Sequence, residues 1–216
     1  LRQSLLKRLA CDRNDDPSRA CRPFDADRTG SVIGEGGGLL ILEELEHARN
    51  RGARIYAEIV GFGASANTHS WREPEPDGAG IALAIRKAMT DAGIMAEAVD
   101  LIGTFGSGTP EHDRSEARAI HQTLGDRART IPALAVKGAV GNSGAGSGAI
   151  DVSLAILSLA HSVVPPSQNT DHVDPDCDLN VVRGEPLTAP MKTVLSVAYT
   201  LGGGQNAALV LRRYPE

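Results

Sequence analysis

The most constraining feature of the sequence is a glycine-rich loop that leads directly into an apolar helix. Residues 138–148 read GAVGNSGAGSG, and residues 149–160 read AIDVSLAILSLA, which is apolar on nearly every helical face. A helix that is apolar all round is buried on all sides, and this one is shorter than the roughly 20 residues of a membrane span. The sequence therefore predicts a helix sandwiched between layers, with small residues that permit tight packing. A phosphate cradle is the alternative, although the loop lacks a Gly-Lys-Ser/Thr ending.

Charge and cysteine content narrow the class of protein further. The chain carries 22 Lys+Arg against 27 Asp+Glu, a net charge of −5, whereas nucleic-acid binders usually show a basic surplus. No apolar run approaches the length of a membrane span. Cys11, Cys21 and Cys177 form no Cys-x-x-Cys pair and are expected as reduced thiols of a cytoplasmic protein. The chain opens on Leu1 without a signal peptide, which suggests a removed start or a piece of a longer polypeptide.

Hydrophobic periodicity predicts an alternating order of helices and strands from residue 78 onward. Helices are predicted at 78–92, 113–124 and 149–160, and strands at 99–105, 131–137, 193–199 and 207–212. Such alternation predicts crossover connections and a largely parallel sheet. Two further strands are predicted at 31–42 and 54–64, and we interpret them as the tail of a similar unit whose front is missing.

Several short motifs follow one another between Arg22 and Arg213. They read RPFDADRTGSVIGEG at 22–36, LEELE at 42–46, IYAEIVGFGA at 55–64, PPSQN at 165–169 and DPDCDL at 174–179. In this order they resemble the β-ketoacyl-(acyl-carrier-protein) synthases of the thiolase superfamily. The resemblance implies an α/β, thiolase-like fold of two five-stranded repeats, with one buried helix from each repeat between the two sheets. The chain is similar to the second βαβαβαββ repeat, placed at 78–216, plus the last two strands of the first repeat, placed within 1–77.

The resemblance also locates the two catalytic histidines of the family, and both are replaced. The first belongs to a His-Gly-Thr-x-Thr loop, which here runs from Phe105 to Thr109. The second belongs to a Lys-x-x-x-Gly-His loop, which here runs from Lys137 to Asn142. Phe105 cannot donate a hydrogen bond to an oxyanion, and Asn142 can donate one but does not titrate near neutral pH. The nucleophilic Cys of the family lies ahead of the matched segments, while Cys177 matches a structural position.

Other members of the family constellation are retained. Asp113 and Glu116 match an Asp-x-x-Glu pair, Lys137 stands at its expected place, and Asp151 matches an acidic residue of the buried helix. Because a buried lysine needs a partner, we predict an ion pair between Lys137 and Glu116; the alternative is a catalytic amine at Lys137. The candidate catalytic positions are thus Phe105, Asn142, Lys137 and Glu116.

Candidate substrate-binding residues come from the same loops and from a third one. Residues 200–203 (TLGG) resemble the Gly-Phe-Gly-Gly gating loop of the family, with Leu201 in place of Phe. The candidates are Thr109, Leu201, Gly202 and Gly203. Since the loops of Phe105 and Asn142 follow neighbouring parallel strands, we expect these two residues to flank one pocket. Phe105 is interpreted as pocket filler, whereas Asn142 is either an amide donor or a hydrogen-bonded loop residue.

The histidines show no metal-binding spacing on one helix face. They are expected at the surface or in loops: His47, His69, His112, His121, His161 and His172. No metal and no cofactor is predicted.

Three functions stay open on the sequence alone. The first is a β-ketoacyl synthase relative of fatty acid or polyketide synthesis that has lost catalysis and pairs with an active synthase, as chain-length factors do. The second is a truncated condensing enzyme of divergent mechanism, and the third is a lone interaction domain without acyl chemistry. The resemblance implies an acyl carrier protein as partner and a homo- or heterodimer with a synthase subunit. Neither nucleic acid nor a membrane is an expected partner.

Overall fold

A six-stranded mixed sheet lies at the centre of the computed structural model, which describes residues 2–202 and 204–215. The strands are β1 (Ala57–Ala66), β2 (Leu101–Gly103), β3 (Pro132–Leu134), β4 (Val163–Val164), β5 (Asn180–Val181), β6 (Leu187–Thr188), β7 (Thr193–Tyr199) and β8 (Gln205–Arg213). The α-helices are α1 (Arg2–Leu5), α2 (Leu45–Asn50), α3 (Ala79–Asp91), α4 (Pro110–Leu124), α5 (Lys137–Val140) and α6 (Ser147–His161). Short 3-10 helices span Pro17–Arg19, Ala96–Ala98, Gly125–Arg129 and Gly144–Gly146. The sheet order is β1-β8-β7-β2-β3-β5, while β4 and β6 form a separate ribbon.

The strands that precede the predicted site loops are parallel neighbours. Strand β2 pairs in parallel with β3 and with β7, and β3 pairs in parallel with β5. Strand β8 runs antiparallel to both β7 and β1. The predicted helices and strands after residue 78 occur in the predicted order, with α3, α4 and α6 as the long helices, and the short strands β4, β5 and β6 between α6 and β7 were not predicted.

Helices cover both faces of the sheet, and the residues of each strand divide between the two faces. Ile102 and Leu195 belong to the core formed with α3 and α4. Their chain neighbours Leu101 and Val194 belong to the core formed with α6. Because successive side chains on a strand point to opposite faces, each of these strands contributes to two cores. No helix in the described part of the chain is both long enough and apolar enough to cross a membrane.

Strand β1 corresponds to the segment predicted at 54–64, and its position in the fold differs from the prediction. It pairs with β8 from Ala57 to Ala66, so it shares a sheet with the carboxy-terminal strands. A Cβ atom at Gly61 or Gly63 would collide with carbonyl oxygens of α3, so these two glycines allow α3 to lie directly on β1. With β1 included, the sheet has six strands; β1, β2, β3, β7 and β8 follow the βαβαβαββ order, and the short β5 is the sixth. The boundary after residue 77 stays a prediction.

The strand predicted at 31–42 is absent as a strand from the described residues. Only isolated bridges occur there, including one between Ile33 and Asn142. Leu39, Ile41 and Leu42 are 86%, 74% and 71% exposed. A strand needs a neighbour to pair its backbone, and no described strand lies beside this segment. Residues 31–42 have the sequence pattern of a strand, but no strand that pairs with them is found among the described residues.

Helix α6 is the predicted apolar helix, and it is buried on one side only. Val152, Ala155 and Leu159 pack against the sheet. On the opposite side Leu157 is 44% exposed and Leu154 is half-buried. The predicted burial on all sides is thus wrong for the described chain, because a second layer that would cover α6 is not part of it.

Buried ion pairs attach the loop of residues 20–31 to the rest of the structure. The Arg22 Nε atom lies 3.1 Å from Asp25 Oδ1. The Arg28 guanidinium lies 2.8 Å from Asp174 Oδ2 and 3.6 Å from Asp113 Oδ2. Burial opposes ionisation of Asp25, but backbone N–H donors and Arg22 outweigh it and lower the pKa of that carboxyl. The Arg28–Asp113 pair holds the loop against α4, the Arg28–Asp174 pair attaches it to the segment before β5, and the Arg22–Asp25 pair lies within the loop.

We expect Arg28→Met to destabilise the protein by about 3–5 kcal/mol, because the fully buried Asp113 then loses its cation. Chemical denaturation monitored by circular dichroism measures the change. The exposed Arg86, changed to Met, is the matched control and should shift stability by less than about 0.5 kcal/mol. Equal stability of both variants would contradict this account of the loop.

Candidate functional site

The loops after β2 and β3 meet at the carboxyl ends of these two strands. Phe105 lies just beyond β2, and Lys137 opens the short helix beyond β3. The Lys137 Nζ atom lies 3.8 Å from the centroid of the Phe105 ring. Both residues are buried, and Lys137 is fully so. The structure thus joins two of the predicted site residues in one cation–π contact.

Lys137 pairs with Asp151 rather than with Glu116. Its Nζ atom lies 2.7 Å from the Asp151 Oδ2 atom on α6. Glu116 instead accepts hydrogen bonds from the backbone N–H groups of Phe105 (2.7 Å) and Gly106 (2.9 Å), and from the Tyr199 hydroxyl (3.1 Å). The predicted Lys137–Glu116 ion pair is therefore wrong. The physical reason is that the loop backbone already satisfies the Glu116 carboxyl, while α6 presents a second carboxylate to the lysine.

Burial strongly perturbs the acids around this pair. Complete burial raises the pKa of Glu116 to about 8, and the Asp113 carboxylate adds to the rise, while the loop N–H groups and Lys137 oppose it. Burial likewise raises the pKa of Asp151, against the stabilising effect of the Lys137 ammonium. A carboxyl that titrates near neutrality is able to hold or release a proton inside the protein.

Asp113 organises the remainder of the Phe105 loop. Its carboxylate accepts hydrogen bonds from the Phe24 N–H (2.8 Å), the Ser107 hydroxyl (2.9 Å) and the Gly108 N–H (3.1 Å). Thr109, one residue further on, has a buried hydroxyl without a hydrogen-bond partner in the described structure. The Thr109 N–H donates a hydrogen bond to the Ser107 hydroxyl (3.1 Å), which holds the backbone of Thr109 within the loop.

Phe105 packs between an aromatic ring and a cation. The centroid of its ring lies 4.5 Å from that of the Tyr199 ring. Phe105 is buried, so its ring is surrounded by protein. Its contacts with Tyr199 and Lys137 are those of a side chain that fills space, as the sequence led us to expect.

Asn142 makes its hydrogen bonds within its own loop. The amide oxygen accepts from the Gly144 N–H (2.9 Å) and from the Ser147 hydroxyl (3.0 Å). The backbone of Asn142 forms the bridge to Ile33. Of the two readings of Asn142, these contacts favour the hydrogen-bonded loop residue. That Phe105 and Asn142 flank one pocket stays a prediction.

The third predicted loop lies next to a small cavity. Leu201 and Gly202 are buried, and a side chain at Gly202 would meet Leu6. The cavity is lined by Gly202, Tyr199 and His112, among others, and its volume of about 10 Å³ is close to that of one water molecule. Gly203, the remaining candidate for substrate binding, lies outside the described residues.

His112 is a buried residue that the sequence analysis placed at the surface or in a loop. It is 2% exposed, and its ring stacks on Tyr199 with 5.9 Å between centroids. Burial, with a contribution from Arg8, lowers its pKa to about 3, so the ring is neutral. Its Nδ1 atom has no partner among the described residues. The helical spacing was the missed signal, because His112 precedes the buried Glu116 by four residues.

None of the buried cysteines is an activated thiol. Burial raises the pKa of Cys21 to about 11 and that of Cys177 to about 12. Since the thiolate is the nucleophilic form, both are unreactive at neutral pH. Among the described residues, no three His, Cys, Asp or Glu side chains come close enough together to hold a metal ion.

The fold and this arrangement of loops define a thiolase-like ketosynthase fold. Residues 56–171 match the profile of the β-ketoacyl synthase C-terminal domain, and residues 4–48 match that of the N-terminal domain. The chain belongs to the β-ketoacyl synthase family.

Individual relatives agree with this assignment. The chain is 42% identical to a 3-oxoacyl-[acyl-carrier-protein] synthase 2 from Synechocystis over 94% of its own length and 48% of that protein. A solved type II polyketide ketosynthase, in complex with its acyl-carrier protein, superposes with a TM-score of 0.95 at 34% identity, over 99% of this chain and 52% of that one. The ishigamide ketosynthase/chain length factor gives a TM-score of 0.85 at 38% identity, over 91% and 47%. The chain thus spans about half the length of the relatives it matches.

We expect double substitutions to identify Asp151 as the energetic partner of Lys137. Lys137→Met alone should cost about 3–5 kcal/mol, because it leaves the buried Asp151 carboxylate unpaired. Adding Asp151→Leu should recover part of this loss, whereas adding Glu116→Gln should not. Urea unfolding of the single and double variants gives the coupling energies, and stronger coupling to Glu116 would refute the observed pairing.

His112 should make the protein less stable as the pH falls. Below about pH 6.5 the unfolded chain binds a proton at this residue, while the folded chain does so only near pH 3. Its contribution to the slope of unfolding free energy is at most about 1.4 kcal/mol per pH unit. His112→Phe retains an aromatic ring against Tyr199 and should remove this contribution between pH 6 and 4. Exposed His69, changed to Phe, is the control; an unchanged slope in His112→Phe would contradict the prediction.

Proposed function

We propose that this chain is the carboxy-terminal part of a β-ketoacyl-acyl-carrier-protein synthase-like protein of fatty acid or polyketide synthesis that does not catalyse condensation. One observation carries the proposal: Phe105 occupies the place of the first family histidine, packed between Tyr199 and Lys137. An apolar ring at this position gives no hydrogen bond to a developing oxyanion. The charged groups around it are already paired within the protein, so the arrangement is stable without a histidine.

The residue at the position of the second family histidine supports the same proposal. Asn142 at that position uses its amide oxygen to accept hydrogen bonds from Gly144 and Ser147 within its loop. An amide neither gains nor loses a proton near neutral pH. The two buried thiols have raised pKa values, so within this chain neither Cys21 nor Cys177 supplies a thiolate.

We further propose a synthase subunit and an acyl carrier protein as partners of the whole protein. Among the neighbours in structure, one is a ketosynthase bound to its acyl-carrier protein and another is a ketosynthase/chain length factor. The exposed Leu39, Ile41, Leu42 and Leu157 support a large covering surface, because such apolar groups are normally buried. The role that fits best is that of a non-catalytic subunit, as in chain-length factors, with a dimeric assembly.

A truncated condensing enzyme of divergent mechanism is the second candidate. The retained Lys137, Asp151 and Glu116, together with the unpartnered hydroxyl of Thr109, favour it. The residue at the nucleophile position of the whole protein separates the two candidates. A Cys there favours the enzyme, and another residue favours the non-catalytic subunit. A lone interaction domain is favoured only if the whole protein has no preceding repeat.

We expect no condensation when this chain is incubated with an acyl-carrier substrate and labelled malonyl-carrier. Acid–base groups contribute about 10²–10⁴-fold each, and the chain has no activated thiol among its buried cysteines. The Synechocystis relative serves as the positive control in the same assay. Phe105→His combined with Asn142→His should not restore turnover, since the nucleophile is still lacking. Turnover that survives conversion of Cys11, Cys21 and Cys177 to Ala would overturn the proposal.

A further inference from the structure

An open groove lies at the far end of α6 from the candidate site. It encloses about 510 Å³ and is lined by Arg54, Ile55, Tyr56, Ala160, Arg213, Tyr214 and Pro215. The groove adjoins the last turn of α6, whereas Asn142 contacts the first turn of the same helix through Ser147. A helix of this length separates the two regions by roughly 20 Å. The groove is therefore distinct from the site of the family chemistry.

The charged groups of the groove are cations. The Arg54 guanidinium carbon lies 4.6 Å from the centroid of the Tyr56 ring, and this side chain makes no hydrogen bond or ion pair within the described residues. Arg213 donates one hydrogen bond, from Nη2 to the Ala160 carbonyl oxygen at 2.8 Å, and so neutralises part of the negative end of α6. None of the described lining residues is acidic. Free guanidinium donors in this setting favour an anionic ligand.

Two tyrosine rings give the groove planar apolar walls. Tyr56 is 46% exposed, and the Arg54 guanidinium lies over its ring. The Tyr214 hydroxyl accepts a hydrogen bond from Arg49 Nε at 2.7 Å, which fixes the orientation of that ring. Fixed aromatic walls bind a flat ligand at a low cost in conformational entropy.

We propose that this groove binds a small molecule in which a phosphate monoester is joined to a planar aromatic body, the chemistry that nucleotides share. The guanidinium of Arg54 matches a phosphate in a bidentate manner. The rings of Tyr56 and Tyr214 suit a flat body, and the volume falls within the roughly 300–1,000 Å³ of small-molecule sites. The proposal is independent of the synthase function, because it uses none of the residues of that site.

The test is isothermal titration of the 216-residue chain with 1-naphthyl phosphate at low salt. Inorganic phosphate carries only the anionic group, and 1-naphthalenemethanol carries only the aromatic body. Each should therefore bind at least about tenfold more weakly than 1-naphthyl phosphate. Arg54→Gln should weaken naphthyl phosphate binding by about tenfold or more, and Tyr56→Leu by about threefold to tenfold. Exposed Arg86→Gln is the matched control and should bind as the unsubstituted chain does. Circular dichroism verifies that each variant is folded.

Three results would overturn the proposal. One is an absence of binding by naphthyl phosphate, and another is equal affinity in Arg54→Gln and the unsubstituted chain. The third is tighter binding of a glutamate-rich peptide that loses affinity in Arg54→Gln, which would assign the groove to an acidic protein segment. Failure of the condensation assay described above affects none of these outcomes.

Discussion

Two buried carboxylates on one face of α4 hold the surroundings of the candidate site together. Asp113 and Glu116 lie three residues apart, so both side chains point towards the loop that follows β2. Glu116 accepts backbone N–H groups at the start of that loop, and Asp113 accepts donors further along it and from Phe24. Burying such acids is costly unless donors replace water. Backbone N–H groups of Phe105, Gly106, Phe24 and Gly108 are four of the six hydrogen-bond donors, and the hydroxyls of Ser107 and Tyr199 are the other two, so the loop is fixed by the same contacts that permit the burial.

The buried charges of the site are satisfied by groups other than histidine. The Glu116 carboxyl depends on loop N–H groups and on Tyr199, and Lys137 depends on Asp151. None of these partners is a histidine, so neither buried group depends on one. Phe105 then adds packing against Tyr199 and a favourable contact with the Lys137 ammonium.

The exposed apolar surface has one physical origin. Helix α6 is apolar on two sides but covered on only one within the described chain, and the apolar segment Leu39–Leu42 is exposed along its whole length. The glycines at 36–38 lie close to α6 and bring this segment and the helix onto a common surface. The extent of this surface agrees with a chain that spans about half of the length of its relatives.

Local patterns in the sequence were sufficient to determine the long helices, the strands β7 and β8, and the meeting of the loops after β2 and β3. Periodicity reports which face of an element is apolar, and short connections limit where the next element lies. The resemblance to the family motifs predicted that Asp113, Glu116, Lys137 and Asp151 belong to one constellation.

Only the tertiary structure decided how these groups pair and what covers each element. Two buried carboxylates, one on α4 and one on α6, were candidate partners of Lys137. The partner is the one whose carboxylate oxygen lies within about 3 Å of the Lys137 Nζ atom, which is that of Asp151 on α6. The sequence does not indicate that the His112 ring stacks on Tyr199, because the two residues are far apart along the chain. Strand β1 pairs with β8 near the other end of the chain, whereas residues 31–42 form only the isolated bridges of Ser31 and Ile33 among the described residues. Pairing and burial are properties of contacts between distant segments, and a residue pattern specifies only the tendency to form them.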